Sequence, residues 1–160
     1  MIKTTVETQW NGEEVKIRGN KVRNKSAFEI GLVVERQAKA LCPVKTGLLA
    51  GSITTQSQTE GTQPKAPATE AIQKPMMEGE VYVGTPVEYG PAIEFGSMPH
   101  IIKVKDKKVL SDGKRIFGKS VKHPGNPAQP FLRPALDLTM GHTLTIVKNE
   151  AKYEFKDYIK

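Results

Sequence analysis

Apolar residues recur at spacings of 3, 4, 4 and 3 through Ala27, Ile30, Val34, Ala38 and Leu41, which is one face of a helix. The spacing predicts a helix over about 20–41, ended by Pro43, because the residue before a proline is driven out of the α region. A longer stripe runs through Leu132, Leu136, Met140, Leu144, Val147, Ala151 and Phe155 at spacings of 4, 4, 4, 3, 4 and 4. It predicts a helix over about 130–156, interrupted only by Gly141, which costs about 1 kcal/mol relative to alanine. The stretch HPGNPAQPFLRPAL leads into it. Pro130 and Pro134 fall before or within the first turn, where no intrahelical N–H bond is lost.

Elsewhere the period is that of strands. Residues 2–9 and 13–18 alternate around Trp10-Asn11-Gly12-Glu13, and Asn-Gly favours the two-residue turn of a hairpin. A strand is expected near 52–59, after a tight connection at Thr46-Gly47, and another at 80–84. The segment VEYGPAIEFGS reads as a turn or short helix carrying Tyr89, Ile93 and Phe95. Two β-like runs within 100–122, around Ser111-Asp112-Gly113, predict a second hairpin. Residues 60–76 are polar, hold three prolines and lack an apolar period, so they read as a flexible excursion. No internal repeat is visible.

Length and composition add bounds. At 160 residues the chain suits one domain, residues 1–160, able to bury a core without staples. One cysteine, Cys42, excludes a disulfide within the chain and fits a reducing compartment. The N-terminus has no apolar run of signal-peptide type, and no apolar stretch approaches the roughly 20 residues that span a bilayer. A soluble protein kept in the cytoplasm, without membrane contact, is expected.

The net charge of +7 is concentrated. Between 103 and 122, eight basic residues (Lys103, Lys105, Lys107, Lys108, Lys114, Arg115, Lys119 and Lys122) face only Asp106 and Asp112, leaving +6. A lesser cluster, Lys21, Arg23 and Lys25, opens the first helix. The basic hairpin admits two uses. Its lysines can neutralise phosphates while Phe117 stacks on a base, or they can dock on an acidic protein surface.

Catalytic and metal-binding signals are weak. His100, His123, His142 and Cys42 lack the paired spacing of a zinc site and read as surface histidines and a structural thiol. Glu88 and Glu94 flank Tyr89, but a solvated or lysine-paired role suits them better than acid–base work. No P-loop, dinucleotide-binding glycine pattern, nucleophile elbow or zinc-protease helix occurs. No enzyme, cofactor or small-molecule substrate is indicated.

Three segments together resemble the neck and tail-completion proteins of long-tailed bacteriophages, also known as minor tail components. Ala40–Ile53 is similar to the family's A-x-x-x-P-V-x-T-G-x-L-x-x-S-I segment, one residue shorter between Ala40 and Pro43, with Pro43, Thr46 and Gly47 in place. Val81–Gly84 running on to Tyr89, Glu94, Phe95 and Gly96 resembles its strand followed by Y-[AG]-x-x-[VI]-E-[FY]-G. Gln129, Pro130, Phe131, Leu132, Arg133, Pro134, Ala135 and Leu136 resemble its Q-P-F-L-R-P-A-L helix start. The likeness covers about 25–155. The chain departs from the pattern in the length of 60–76, in the basic hairpin inserted at 100–122, and in the N-terminal hairpin.

The resemblance implies an α+β domain, a small mainly antiparallel sheet packed by the two main helices. It also implies a structural virion protein with no catalysis, cofactor or metal. Its partners would be further copies of itself in a ring, and the head-connector and tail proteins around the DNA channel. It would be made in the host cytoplasm and end in the virion neck. The Pro-rich corner would aim the last helix and present Phe131 and Arg133 to a neighbour.

Overall fold

The computed structural model describes residues 11–66, 69–104, 109–111 and 113–158. In chain order these form α1 (Gly12–Leu41), α2 (Leu48–Ser52), β1 (Thr54–Ser57), β2 (Val81–Gly84), α3 (Gly90–Glu94), β3 (His100–Lys103), β4 (Leu110–Ser111), β5 (Ile116–Gly118), β6 (Ser120–His123) and α4 (Leu132–Glu154). The fold is α+β, two long helices with small antiparallel sheets.

The helix at the start is longer than its apolar spacing predicts, and the second arm of the expected N-terminal hairpin, 13–18, is its first part. The first arm, 2–9, lies outside the described residues. Helix wins over the Asn-Gly turn because Glu13 and Glu14 sit in the first turn, where the helix dipole favours negative charge. Glu14 also pairs with Arg18 one turn on, at 2.8 Å. Arg18 then donates to the Glu154 carbonyl at the far end of α4, 2.6 Å away. At the other end Val34 and Ala38 share a core cluster with Phe131 and Ala135, so α1 and α4 run antiparallel.

Only part of the apolar stripe that marks α4 in the sequence lies on the face it buries: Leu132 packs against the core and Val147, Ala151 and Phe155 are half-buried, but the middle of the stripe faces out. Phe131, Ala135 and Thr139 are buried, whereas Leu136, Met140 and Leu144 are 50, 65 and 71% exposed. The period is that of a helix in both cases; the rotation differs by one residue, about 100°. Small residues at 135 and 139 suit a helix held close to its neighbours.

The strands form three two-stranded ribbons: β1 with β2 against α1, and, within the segment expected to form the basic hairpin, β3 with β6 and β4 with β5. In the first, Thr54 lies opposite Gly84 and Ser57 opposite Val81. It presses on α1 at Gly31, where an added Cβ would stand 2.6 Å from Val81 Cγ1 and 2.7 Å from Thr55 Cγ2. A one-turn helix, α2, intervenes between Thr46-Gly47 and β1.

All four residues of β1, Thr-Thr-Gln-Ser, are buried, which is costly unless their polar atoms find partners. Thr55 donates its hydroxyl to the Gly31 carbonyl at 3.1 Å. Its N–H donates to the Thr62 hydroxyl at 2.8 Å. That hydroxyl donates in turn to the buried Glu35 carboxylate at 2.8 Å. Burial opposes charge on Glu35, but Lys39 and the hydroxyls around it prevail and hold its pKa below the ordinary value. The stretch 60–76 is therefore pinned rather than loose at several points. Thr62 is tied to β1 and α1, Ala66 and Pro75 are buried, and Gly51 accepts the amides of Lys65 and Ala66. Threonine and alanine here supply single anchors with no period, so a pattern search passes over them.

Candidate assembly site

The three family-like segments, far apart in sequence, meet around Phe131. Its ring is fully buried with Leu49 and Ile53 of the first segment, and Ile93 of the second packs against the same cluster. Ser52 and Thr85 hydroxyls join the first two segments at 2.6 Å. Pro43, Thr46, Gly47, Leu49, Tyr89 and Gln129 line one shallow groove of about 570 Å³. Gly47, in the left-handed region at φ 79°, is the N-cap of α2 and turns the chain into it.

The junction between the second and third segments is held by Glu94. Its Oε2 accepts the backbone N–H groups of Phe131 and Leu132 at 2.7 and 2.9 Å, and its Oε1 accepts that of Arg133 at 3.0 Å. A helix start leaves its first N–H groups without intrahelical partners. Here the Glu94 carboxylate takes three of them, residue 134 is a proline with none, and Ala135 begins the helical ladder by donating to the Phe131 carbonyl. The expectation that Glu94 is solvated or lysine-paired is thus overturned: it is buried, and it caps α4 from 37 residues away. Burial works against its charge, yet the three amides and nearby Arg133 outweigh burial and hold its pKa below the usual carboxylate value. Pro130 and Pro134 serve this arrangement, one stiffening the approach and the other removing the donor that the carboxylate does not reach.

Gly96 completes the corner. At φ 76° it occupies the left-handed region, and an added Cβ would stand 2.9 Å from both the Ala128 amide nitrogen and the Asn126 carbonyl oxygen. Ser97 and Asn126 exchange backbone hydrogen bonds of 2.9 and 3.1 Å, and Gln129 donates to the Ile93 carbonyl at 2.8 Å. These bonds deliver Pro130 and Phe131 to Glu94. Phe95, by contrast, is 73% exposed, and Tyr89 and Arg133 are exposed too. Phe131 is a core residue with no surface to offer, which corrects the expectation that it presents itself to a neighbour; Arg133, Phe95 and Tyr89 remain available for that. Buried Cys42 sits in the same core, its thiol pushed up by burial and by Glu94, as suits a structural thiol.

Five of the eight hairpin cations, Lys103, Lys114, Arg115, Lys119 and Lys122, are placed on the ribbons formed by β3–β6 and β4–β5, all exposed. Lys105, Lys107 and Lys108 lie outside the described residues. Strand pairing puts Ile101 opposite Lys122 and Lys103 opposite Ser120 on one face, with Ile102, Val121, His100 and His123 on the other. The imidazoles of His100 and His123 stack with centroids 5.0 Å apart. Twenty-three residues separate them, and only the strand register, invisible in the sequence, brings them together. Among the described residues no group of three or more His, Cys, Asp or Glu could hold a metal ion, and no helix is long and apolar enough to cross a membrane.

Comparison of the chain with protein-family models, with curated proteins and with solved structures returned no match.

Proposed function

We propose that this chain is a structural virion protein of a tailed bacteriophage or prophage, acting at the neck to complete the tail and join it to the head as a ring of identical subunits. The observation that carries the reading is the convergence of the three family-like segments on the Glu94–Phe131 junction. The residues that give the resemblance thereby form one physical unit, and around it Phe95, Tyr89 and Arg133 face outward. A rigid corner that caps one helix and displays side chains beside it suits a docking subunit. In the host cytoplasm it would meet head-connector and tail proteins, and in the virion it would surround the DNA channel. The test is deletion of the gene followed by electron microscopy of the induced lysate. Separate filled heads and unjoined or malformed tails, rescued by the supplied gene, are expected; normal infectious particles would overturn the reading.

A second reading, a small basic nucleic-acid-binding protein, draws on the exposure of Lys103, Lys119, Lys122 and Phe117 along the ribbons. Phosphate-driven binding would fall steeply with salt and with loss of these lysines, whereas a docking subunit would keep its protein contacts.

A further inference from the structure

We propose that copies of this chain join head to tail, the basic β3–β6 ribbon of one copy seating on an apolar groove beside β2 of the next, with Glu80 and Glu88 on either side of that strand in sequence. The idea begins with charge segregation along the chain. Residues 75–102 contain four glutamates and no lysine, arginine or aspartate, while 103–122 carry +6. The acidic stretch surrounds β2 and α3; the basic one forms the ribbons. Glu94 is buried as the cap of α4 and Glu78 pairs with Arg23 at 3.4 Å, so Glu80 and Glu88 are the acidic side chains this stretch leaves for a partner.

The receiving surface is a groove of about 530 Å³ between α1, β2, α3 and the first turn of α4. Ala27, Ile30, Val81, Phe95, Leu132 and Leu136 supply its apolar walls. Among the described residues Arg133 is the single cation lining it, and it stands beside the Glu94 charge. Glu80 and Glu88 bracket β2 in sequence, and neither has an ion-pair partner among the described residues. Among the described residues β2 pairs with β1 alone, so its other edge offers backbone N–H and C=O groups to an incoming strand. Such an edge, with apolar walls and acidic flanks, fits a basic strand that also carries apolar side chains.

The ribbon has that composition. On its open face Ile101, 58% exposed, is flanked by Lys103 and Lys122. Lys119 and the exposed Ile116 and Phe117 lie just beyond. A strand of this kind can insert Ile101 into the groove and lay its lysines against Glu80 and Glu88. Because the two surfaces differ, the contact is heterologous and propagates from copy to copy, the geometry that closes a ring. Nucleic acid on the ribbon would engage the lysines and leave Ile101 and the groove uncovered, so a second copy accounts for more of the surface.

Closure into a ring rests on the function proposed above, but the contact itself is tested with the purified full-length chain. Equal amounts of natural-isotope and ¹⁵N-labelled chain at about 1 mM, enough to half-populate a millimolar contact, are treated with a zero-length carbodiimide and mapped by mass spectrometry. Mixed-isotope products joining Glu80 or Glu88 to Lys103, Lys119 or Lys122 are expected. Their yield should fall by roughly tenfold or more in Glu80→Lys/Glu88→Lys and in Lys119→Glu/Lys122→Glu, since like charges then face each other. Mixing the two variants should restore products between them, as edge and ribbon have exchanged signs. All four residues are at the surface or partly exposed, and unchanged thermal unfolding of the variants would exclude misfolding. Absence of these mixed-isotope products from the unaltered chain, or no restoration on mixing two folded variants, would overturn the contact. Products in a phage that survives gene deletion would instead overturn only the neck reading.

Discussion

Glu94 and Phe131, 37 residues apart, are joined by a hydrogen bond of 2.7 Å from the Phe131 amide to the Glu94 carboxylate. With the bonds from Leu132 and Arg133, this makes the start of α4 dependent on a side chain that α3 supplies. Two elements that could otherwise shift independently become one body.

Replacing Glu94 by alanine strands three amides, that of Phe131 buried and those of Leu132 and Arg133 part-buried. A buried donor left without a partner costs about 1–3 kcal/mol, and local water entry recovers part of it. A net loss of about 3 kcal/mol is expected from Glu94→Ala, and about half that from Glu94→Gln, which keeps one acceptor oxygen. Urea unfolding checks both. A loss below about 0.5 kcal/mol for Glu94→Ala, the range of surface substitutions, would mean that the cap contributes little.

The same bonds dictate a pH dependence. The Glu94 carboxyl titrates below its ordinary value of 4.5 in the folded chain, and Glu35 is lowered likewise. As the pH falls the unfolded chain takes up these protons first. The stabilisation is therefore complete above about pH 4.5 and fades as the pH drops through the lower folded-state values. Measured against Glu94→Gln, the native chain's stability advantage should hold at neutral pH and shrink steadily in acid. An advantage that stays constant down to about pH 3 would contradict the assignment.

Exposure along α4 separates two faces that look alike in composition. Phe131→Ala empties a fully buried site and should cost about 3–5 kcal/mol. Met140→Ala and Leu144→Ala remove side chains that stand mostly in water, and each should change stability by no more than about 0.5 kcal/mol. Thermal or urea unfolding of the three variants is decisive, since a packed stripe would make the last two as costly as core truncations.

Both long helices and the basic hairpin were legible because their signals are local. Period marks a helix, and Ser111-Asp112-Gly113 between β-like runs marks a turn. What stayed hidden depends on contacts between distant residues. The rotation of α4 follows from burying Phe131 and fastening three amides to Glu94, so the apolar stripe through Leu136 and Met140 gave the period but not the inward face. The first two turns of α1 were masked by Asn11-Gly12, whose turn preference loses to acidic residues in the first turn and the Glu14–Arg18 pair. Burial of the polar strand β1 depends on Thr62 and Gly31, neither of which has a periodic signature. For the site, a clue was present: a glutamate ahead of Phe-Gly, and a helix start with proline at 134. Only proximity turned those two facts into a cap.

Gly96 offers a test of how the corner is coupled. Its backbone is left-handed, and the atoms an added Cβ would meet, at 2.9 Å, belong to the backbone at Asn126 and Ala128, which cannot swing aside as a side chain can. Gly96→Ala should cost roughly 1–3 kcal/mol from strain and displacement of 126–128. Gly118 has the same sign of φ, at 82°, but an added Cβ there meets nothing within 4 Å, so Gly118→Ala should cost only about 1 kcal/mol of conformational strain. The two also differ in what they share with Glu94. Displacing 126–128 pulls on Gln129 and Phe131, which are bonded to Ile93 and Glu94, so Gly96→Ala already weakens the cap. In a double-mutant cycle, Gly96→Ala with Glu94→Ala should therefore cost less than the sum of the single losses, by about 0.5 kcal/mol or more. Gly118→Ala, set in a separate ribbon, should add to Glu94→Ala without remainder. Strict additivity in both cycles would mean that the turn at Gly96 and the cap at Glu94 stabilise the fold independently, and the corner would then not behave as one unit.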